Sequence, residues 1–118
     1  MRKELESRLI KLSIGVNKFI AALPKSILNT NLGEQLIRSS TSAALNYGEA
    51  QGAESKNDFI HKTSVVLKEL RETGISLKIF SGSGVDRKGS ELPKLIDECD
   101  QLTAIFQKTV TTARSNKS

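Results

Sequence analysis

Apolar residues recur along the chain at alternating steps of three and four positions, the spacing that places them on one face of an α-helix. In the first run, Leu5, Leu9 and Leu12 begin a stripe that continues as far as Leu23. Pro24 follows, and its ring cannot continue the hydrogen-bond ladder of a helix. The spacing predicts helices over about residues 3–23, 32–51, 56–80 and 91–114.

Local signals at the start of three of these segments support the prediction. Asn31 is expected to cap the second helix, with Glu34 reaching back to it from the first turn. Ser55, with Asp58 after it, has the same pattern before the third helix. Pro93 falls in the first turn of the fourth helix, where its missing N–H is not needed.

Amphipathic helices joined by short loops predict an all-α fold, an antiparallel up-down-up-down four-helix bundle. No segment shows the alternation of apolar and polar residues that a half-buried strand needs. A chain of 118 residues has the length of one domain, so a single bundle is expected over residues 1–118.

The balance of charges narrows the class of partner. The chain has 18 Lys and Arg against 13 Asp and Glu, a net charge of +5. This favours nucleic acid as a partner first and an anionic membrane surface second, beside the plain alternative of a soluble basic protein without either. No apolar run is long enough to span a bilayer and no signal-peptide core is present, so we expect no spanning helix. Of the two acidic partners nucleic acid is preferred, and no membrane is expected as a partner. The single cysteine permits no internal disulfide and favours a cytoplasmic location.

The residues that could support catalysis stand apart from one another, so we expect a non-enzymatic protein without a metal site or cofactor. His61 is the only histidine, whereas metal sites and general bases need partners at defined spacing. Cys99 falls on a predicted core stripe, which favours a buried, inert thiol. Asp97, Glu98 and Asp100 point to different sides of one helix and do not converge on one ion.

Polar residues also interrupt the apolar neighbourhood of the second predicted helix. Asn46 and Glu49 stand among small residues and Tyr47. They could belong to a hydrogen-bonded network that fixes helix register, with Arg38 or a side chain of the third helix as partner, or Glu49 could be a ligand-binding carboxylate. The network is favoured, because buried polar pairs often specify register.

Three stretches of the chain carry recognisable motifs. Phe19–Lys25 places Leu-Pro at the end of the first helix, and Phe59–Lys62 opens the third helix with an aromatic residue. Gln35–Ala50 contains Gln-Leu-x-Arg-Ser, a run of small residues and Asn-x-x-Glu. Together these motifs resemble the four-helix-bundle family of 23S rRNA intervening-sequence proteins.

The resemblance implies an antiparallel bundle that assembles into a homopentamer and has no known catalytic activity. The accessory protein of diversity-generating retroelements is similar to this family; it is a basic pentamer that binds nucleic acid and a reverse transcriptase. Transferred by position, the family's motif residues are Arg38, Asn46 and Glu49, and the resemblance implies a structural role for them.

We expect contacts with nucleic acid from exposed basic residues. No acidic residue lies between Ser7 and Gly33, and helical spacing places Arg8, Lys11 and Lys18 on one side of the first helix. With few aromatic residues, mostly on core stripes, the contacts should be to phosphates and tolerant of sequence. The candidates are Arg8, Lys11, Lys18, Lys25, Arg87 and Lys88.

A protein-interaction scaffold is the alternative function. Its partner would be a reverse transcriptase or another protein encoded nearby, and the basic surface would steer that association without binding nucleic acid directly.

Two pairs of isoleucines predict self-association. Ile10 and Ile14 lie four residues apart, outside the core stripe of the first helix, and Ile75 and Ile79 repeat the arrangement on the third. The alternative is a core stripe wider than a strict two-in-seven seam. Contact between unlike faces would close a ring, and the resemblance alone supplies the number five.

Overall fold

A computed structural model describes residues 2–85 and 91–116, and these residues form the predicted all-α bundle of antiparallel helices. Its extents of 50 × 21 × 19 Å show an elongated molecule. None of the helices in these two ranges is both long and apolar enough to cross a membrane. The helices are α1 (Arg2–Ala21), α2 (Ile27–Gln51), α3 (Lys56–Gly82) and α4 (Glu91–Ser115).

The helices follow one another around the bundle. Both α1 and α3 pack against α2 and α4, so α1 lies diagonally across from α3. Paired side chains between α3 and α4 show the antiparallel register, because residue numbers rise on one helix as they fall on the other. These pairs are Ser64 with Arg114, Arg71 with Gln107 and Lys78 with Asp100.

The predicted stripes meet in the centre of the bundle. Leu9, Leu36 and Leu70 are completely buried, as expected for stripe residues on three different helices. Aromatic rings add edge-to-face contacts near both ends of the core, the geometry that aromatic pairs prefer. The ring centroids are 5.5 Å apart for Phe19 and Phe80, and 5.2 Å apart for Tyr47 and Phe106.

The start of α2 differs from the prediction. The helix begins at Ile27, and the Oγ atom of Ser26 accepts the cap hydrogen bond from the backbone N–H of Asn29 at 3.0 Å. Asn31, the predicted cap, lies inside the helix and is exposed. Ser26 takes the role because it is the first capping residue after Pro24, so the helix starts before Asn31 is reached. The predicted cap of α3 is confirmed, since Ser55 accepts from the N–H of Asp58 at 3.0 Å.

Candidate nucleic-acid interface

Three of the predicted contact residues are exposed cations that form no ion pair with the part of the chain that the structure describes. Lys11 and Lys18 lie on α1, about 10 Å apart along its axis at about 1.5 Å per residue. Lys25 lies in the turn between α1 and α2 and is also exposed. None of the ion pairs among the described residues involves these lysines. Their charge therefore remains available to an anion from solution.

Arg8 differs from these lysines because its guanidinium is occupied. Its Nε donates to Oε2 of Glu98 at 2.9 Å and its Nη2 donates to Oε1 at 2.7 Å, so the pair is bidentate. Nη2 also donates to Gln101 at 3.1 Å. The hydrogen bond with Glu98 raises the pKa of Arg8 despite some desolvation. Arg8 therefore joins α1 to α4, and the predicted group of three cations is reduced on this side to Lys11 and Lys18. Arg87 and Lys88 lie outside the described residues.

The three motif residues of α2 have separate partners. Asn46 donates to its own helix, to the carbonyl and the Oγ of Ser42 at 2.9 and 3.1 Å. Glu49 accepts from Nζ of Lys62 on α3 at 2.7 Å, and this hydrogen bond raises the pKa of Lys62. Glu49 thus pairs with a side chain of the third helix, one of the partners that the sequence suggested. Asn46 is connected to Arg38 only indirectly, through Ser42 and Glu69.

Arg38 links α2 to α3 through two carboxylates. Its Nη1 lies 3.1 Å from Oε2 of Glu69, and its Nη2 lies 2.8 Å from Oε1 of Glu72. The side chain of Glu69 is only 10% exposed. Burial alone would raise the pKa of Glu69, but a hydrogen bond with Ser42 and the charge of Arg38 outweigh it and lower the pKa. Glu69 is therefore held ionised in this seam.

Hydroxyl groups complete the contact between α2 and its neighbours. Ser39 and Thr73 share a buried hydrogen bond of 2.8 Å between α2 and α3. Ser13 and Thr41 share one of 3.1 Å between α1 and α2. Two hydroxyl groups from the run of small residues on α2 are thus satisfied by hydrogen bonds to α3 and to α1.

The structure places the side chains that were considered for catalysis in separate environments. Cys99 is buried, its Sγ donates to the carbonyl of Leu70 at 3.3 Å, and burial raises its pKa to about 11. His61 is exposed on α3. The acidic cluster Asp97, Glu98 and Asp100 has a different partner for each member, and no group of three metal-ligating side chains occurs within residues 2–85 and 91–116. Asp97 accepts from Gln101, Glu98 from Arg8 and Asp100 from Lys78.

The predicted isoleucines lie on exposed surface. Ile10 and Ile14 on α1 are 47% and 48% exposed, and they line a groove of about 380 Å³ together with Leu45 of α2. Ile75 and Ile79 on α3 are 61% and 44% exposed. Leu45 had no place in the sequence prediction, because only the packing of α2 on α1 brings it beside Ile10 and Ile14.

The seam between α3 and α4 carries a basic groove that the sequence analysis missed. Lys68, Arg71 and Arg114 line this groove of about 390 Å³, and all three are exposed. Arg71 donates to Oε1 of Gln107, and Arg114 donates to Oγ of Ser64 at 3.2 Å. Arg71 and Arg114 are far apart in sequence, so only the antiparallel register of the two helices shows that they share a groove.

A larger groove of about 1080 Å³ lies at the end of the bundle where α1 turns into α2. Phe19, Leu23 and Val85 give it a mainly apolar lining. Lys18 borders both this groove and the apolar groove between α1 and α2. The side chain of Lys18 thus lies where these two grooves meet.

Comparison with known proteins gives the family. The family model described as 23S rRNA-intervening sequence protein matches residues 4–108, which is most of the chain. The chain belongs to this family. The resemblance of the three motif stretches is thereby confirmed.

A solved structure shares the fold of this family member. It is the crystal structure of a protein with unknown function from the S23 ribosomal protein family of Bacteroides thetaiotaomicron, with a TM-score of 0.75 and 19% sequence identity. The match covers 90% of this chain and 97% of that one. At this identity the similarity supports the bundle fold alone. Comparison with curated proteins gives no match.

Proposed function

We propose that the protein is a non-enzymatic, self-associating bundle that binds nucleic acid through contacts with phosphate groups. The observation that carries the proposal is that Lys11, Lys18 and Lys25 form no ion pair among residues 2–85 and 91–116 and lie in a segment without acidic residues. Unneutralised lysines bind phosphates and release counterions, which supplies affinity without reading sequence.

The aromatic residues favour phosphate contacts over base stacking. The chain has four phenylalanines and one tyrosine. Phe19, Tyr47, Phe80 and Phe106 are buried in the core, and Phe59 is half-buried. Proteins that stack bases need exposed aromatic faces, so the described aromatic residues offer no stacking platform. Binding should therefore tolerate changes of sequence.

The family name supports RNA as the first nucleic acid to test, because it refers to intervening sequences of 23S ribosomal RNA. An accessory role beside a retroelement, as in the similar accessory protein, belongs to the same proposal. In both settings a basic, sequence-tolerant protein would act on nucleic acid without chemistry of its own.

Self-association is proposed through two unlike faces. One is the groove of Ile10, Ile14 and Leu45 on α1 and α2, and the other is the pair Ile75 and Ile79 on α3. Because α1 and α3 lie diagonally across the bundle, these faces point in different directions. When two copies bind through unlike faces, the dimer still has one unoccupied face of each kind. Further copies can therefore add until the ring closes. The family resemblance favours a pentamer.

The proposal is tested by an electrophoretic mobility shift with a labelled RNA and a DNA of the same sequence. The wild type should retard both at ~50 mM salt, where phosphate contacts are strongest. The triple variant Lys11→Gln, Lys18→Gln, Lys25→Gln should retard them much less. Arg8 is left intact, because removing it would leave Glu98 without its partner.

A matched control separates position from net charge. The double variant Lys11→Gln, Lys18→Gln should also retard RNA less, and its control is Lys62→Gln, Lys78→Gln, which loses the same charge from lysines already paired with Glu49 and Asp100. This control should retard RNA nearly as well as the wild type. A wild type that gives no shift at ~50 mM salt contradicts the proposal.

The exposed isoleucine faces also favour a second candidate, a scaffold that binds a protein such as a reverse transcriptase. Affinity capture from the native cell, with and without nuclease, distinguishes the two functions. A protein partner that remains after nuclease treatment, together with no mobility shift, would support the scaffold. Loss of every partner on nuclease treatment would support nucleic-acid binding.

A further inference from the structure

The four arginines whose side chains the structure describes fall into two groups by the charge of their partners. Arg8 and Arg38 each donate to carboxylates, so their charge is neutralised within the protein. Arg71 and Arg114 instead donate to neutral acceptors, Gln107 and Ser64. Among the described residues, no ion pair involves either of them.

These two arginines line one groove with Lys68. The groove has a volume of about 390 Å³ and follows the seam between α3 and α4. Arg114 lies level with Ser64, and Arg71 is about 10 Å further along α3 at about 1.5 Å per residue, with Lys68 between them. Three cations therefore stand in a line along the bundle.

The carboxylate on this groove does not cancel the line of charge. Glu72 is the acidic residue among the described lining, and its Oε1 accepts from Arg38 of α2 at 2.8 Å. The groove floor includes the apolar side chains of Leu67 and Val110, which are almost fully buried. The surface is thus concave, narrow and positive, which suits a chain of anions better than a single small anion.

Each guanidinium lines this groove and makes one hydrogen bond among the described residues, so other donors of the group are unused. Arginine carries several N–H groups in a planar fork that matches the oxygens of a phosphate. Arg71 and Arg114 each donate from only one nitrogen to the neighbouring helix, and this hydrogen bond positions the guanidinium at the seam. The neutral anchors therefore orient the guanidinium groups and leave their charge free.

We infer that the α3–α4 groove binds the phosphate backbone of a nucleic-acid strand, with Arg71, Arg114 and Lys68 contacting successive phosphates. This inference rests on the proposed function and assigns it a second surface, apart from the lysines of α1. The contact proposed for self-association uses Ile75 and Ile79, which lie beyond Arg71 on α3, away from Lys68 and Ser64. Ile75 itself lines the groove one turn beyond Arg71, so a ring through this face would cover that end and leave the end with Lys68 and Arg114 open.

The test is a fluorescence-anisotropy titration of a labelled single-stranded RNA, repeated with DNA of the same sequence. The variant Arg71→Gln, Arg114→Gln removes both charges and keeps a polar, uncharged side chain at each position. At ~0.1 M salt it should bind at least roughly fivefold more weakly for each lost contact, and its salt slope should fall by about 0.7 for each. Arg71→Lys, Arg114→Lys should recover much of the affinity, because it restores the charge without the fork.

Controls make the result specific to the groove. Lys62→Gln, Lys78→Gln has the same net charge, and both lysines are already paired with acidic residues, so it should bind like the wild type. Lys68→Gln alone changes an exposed residue without an ion pair among the described residues, and it should weaken binding even if the arginine variant fails to fold. Circular dichroism monitors folding throughout.

The outcomes separate this inference from the proposed function. If the wild type binds, the α1 variant binds weakly, and both groove variants bind like the control, then the groove inference is wrong and the proposed function stands. If the wild type binds neither RNA nor DNA, both are wrong. Weaker binding by the groove variants, with an unchanged control, supports the inference.

Discussion

Two glycines within helices have different surroundings, and this difference can be measured. A Cβ atom at Gly48 would meet nothing within 4 Å, whereas one at Gly15 would lie 2.8 Å from Cδ2 of Leu95. Gly48→Ala should therefore raise the free energy of unfolding by about 0.5–1 kcal/mol through helix propensity. Gly15→Ala should gain less or lose stability, because Leu95 must move. Urea unfolding of both variants measures this difference. Equal stabilisation of the two variants would contradict the packing of α1 on α4.

At the residue scale, the burial of side chains was predictable from the sequence, but their ion-pair partners were not. The spacing of three and four placed Leu9, Leu70 and Cys99 in the core, since helical periodicity is a local property of sequence. The pairing of Arg8 with Glu98 joins opposite ends of the chain. No local pattern contains that information, so Arg8 was expected on the free surface.

At the scale of single helices, the start of α2 gives a direct comparison of two capping residues. Ser26 accepts from the N–H of Asn29, whereas Asn31 lies within the helix. Ser26→Ala should lower the free energy of unfolding by about 1 kcal/mol, and Asn31→Ala should leave it unchanged or raise it slightly. Chemical denaturation of both variants measures this. A larger loss of unfolding free energy for Asn31→Ala would show that Asn31 caps the helix, as expected from the sequence, and would contradict the structure.

The seam between α2 and α3 predicts a dependence of stability on pH. The pKa of Glu69 is lowered in the folded state, so its ionised form stabilises the fold above its unfolded pKa of about 4.3. That contribution is lost as the pH falls through the lower, folded pKa. The melting temperature of the wild type should therefore fall more steeply below about pH 4 than that of Glu69→Gln.

The matched control for this seam is Glu34→Gln, which changes an exposed carboxylate without an ion pair among the described residues. Its stability should follow the wild-type curve. Parallel curves for the wild type and Glu69→Gln would show that the carboxylate contributes nothing to the seam. The burial of Glu69 was not predicted, because its position beside the α3 stripe becomes interior only when α2 packs over it.

At the scale of the whole molecule, exposed isoleucines predict an assembly larger than one chain. Ile14 and Ile79 belong to the two proposed faces and are about half exposed in the single bundle. Light scattering of the wild type at micromolar concentration should give a mass well above 12.9 kDa. The variant Ile14→Asp, Ile79→Asp should remain helical by circular dichroism and have a smaller mass. A wild type at the monomer mass, or a folded variant at the wild-type mass, contradicts this.

The bundle was predictable as a whole because each helix carries its own apolar stripe, while the surfaces between helices depend on register. Lys11 and Lys18 could be recognised from one helix alone. Arg71 and Arg114 could not, since their common groove exists only when α3 and α4 lie antiparallel. Candidate surfaces built from two helices were therefore the part that sequence patterns missed.

The most direct test of the account is the salt dependence of RNA binding by the wild-type protein. Fluorescence anisotropy with a labelled RNA, from ~50 to ~200 mM salt, gives the association constant at each concentration. The account predicts that its logarithm falls linearly with the logarithm of salt concentration, with a slope that corresponds to several phosphates, and that changes of RNA sequence alter it little. No binding at ~50 mM salt, or binding that salt leaves unchanged, would contradict a function based on phosphate contacts.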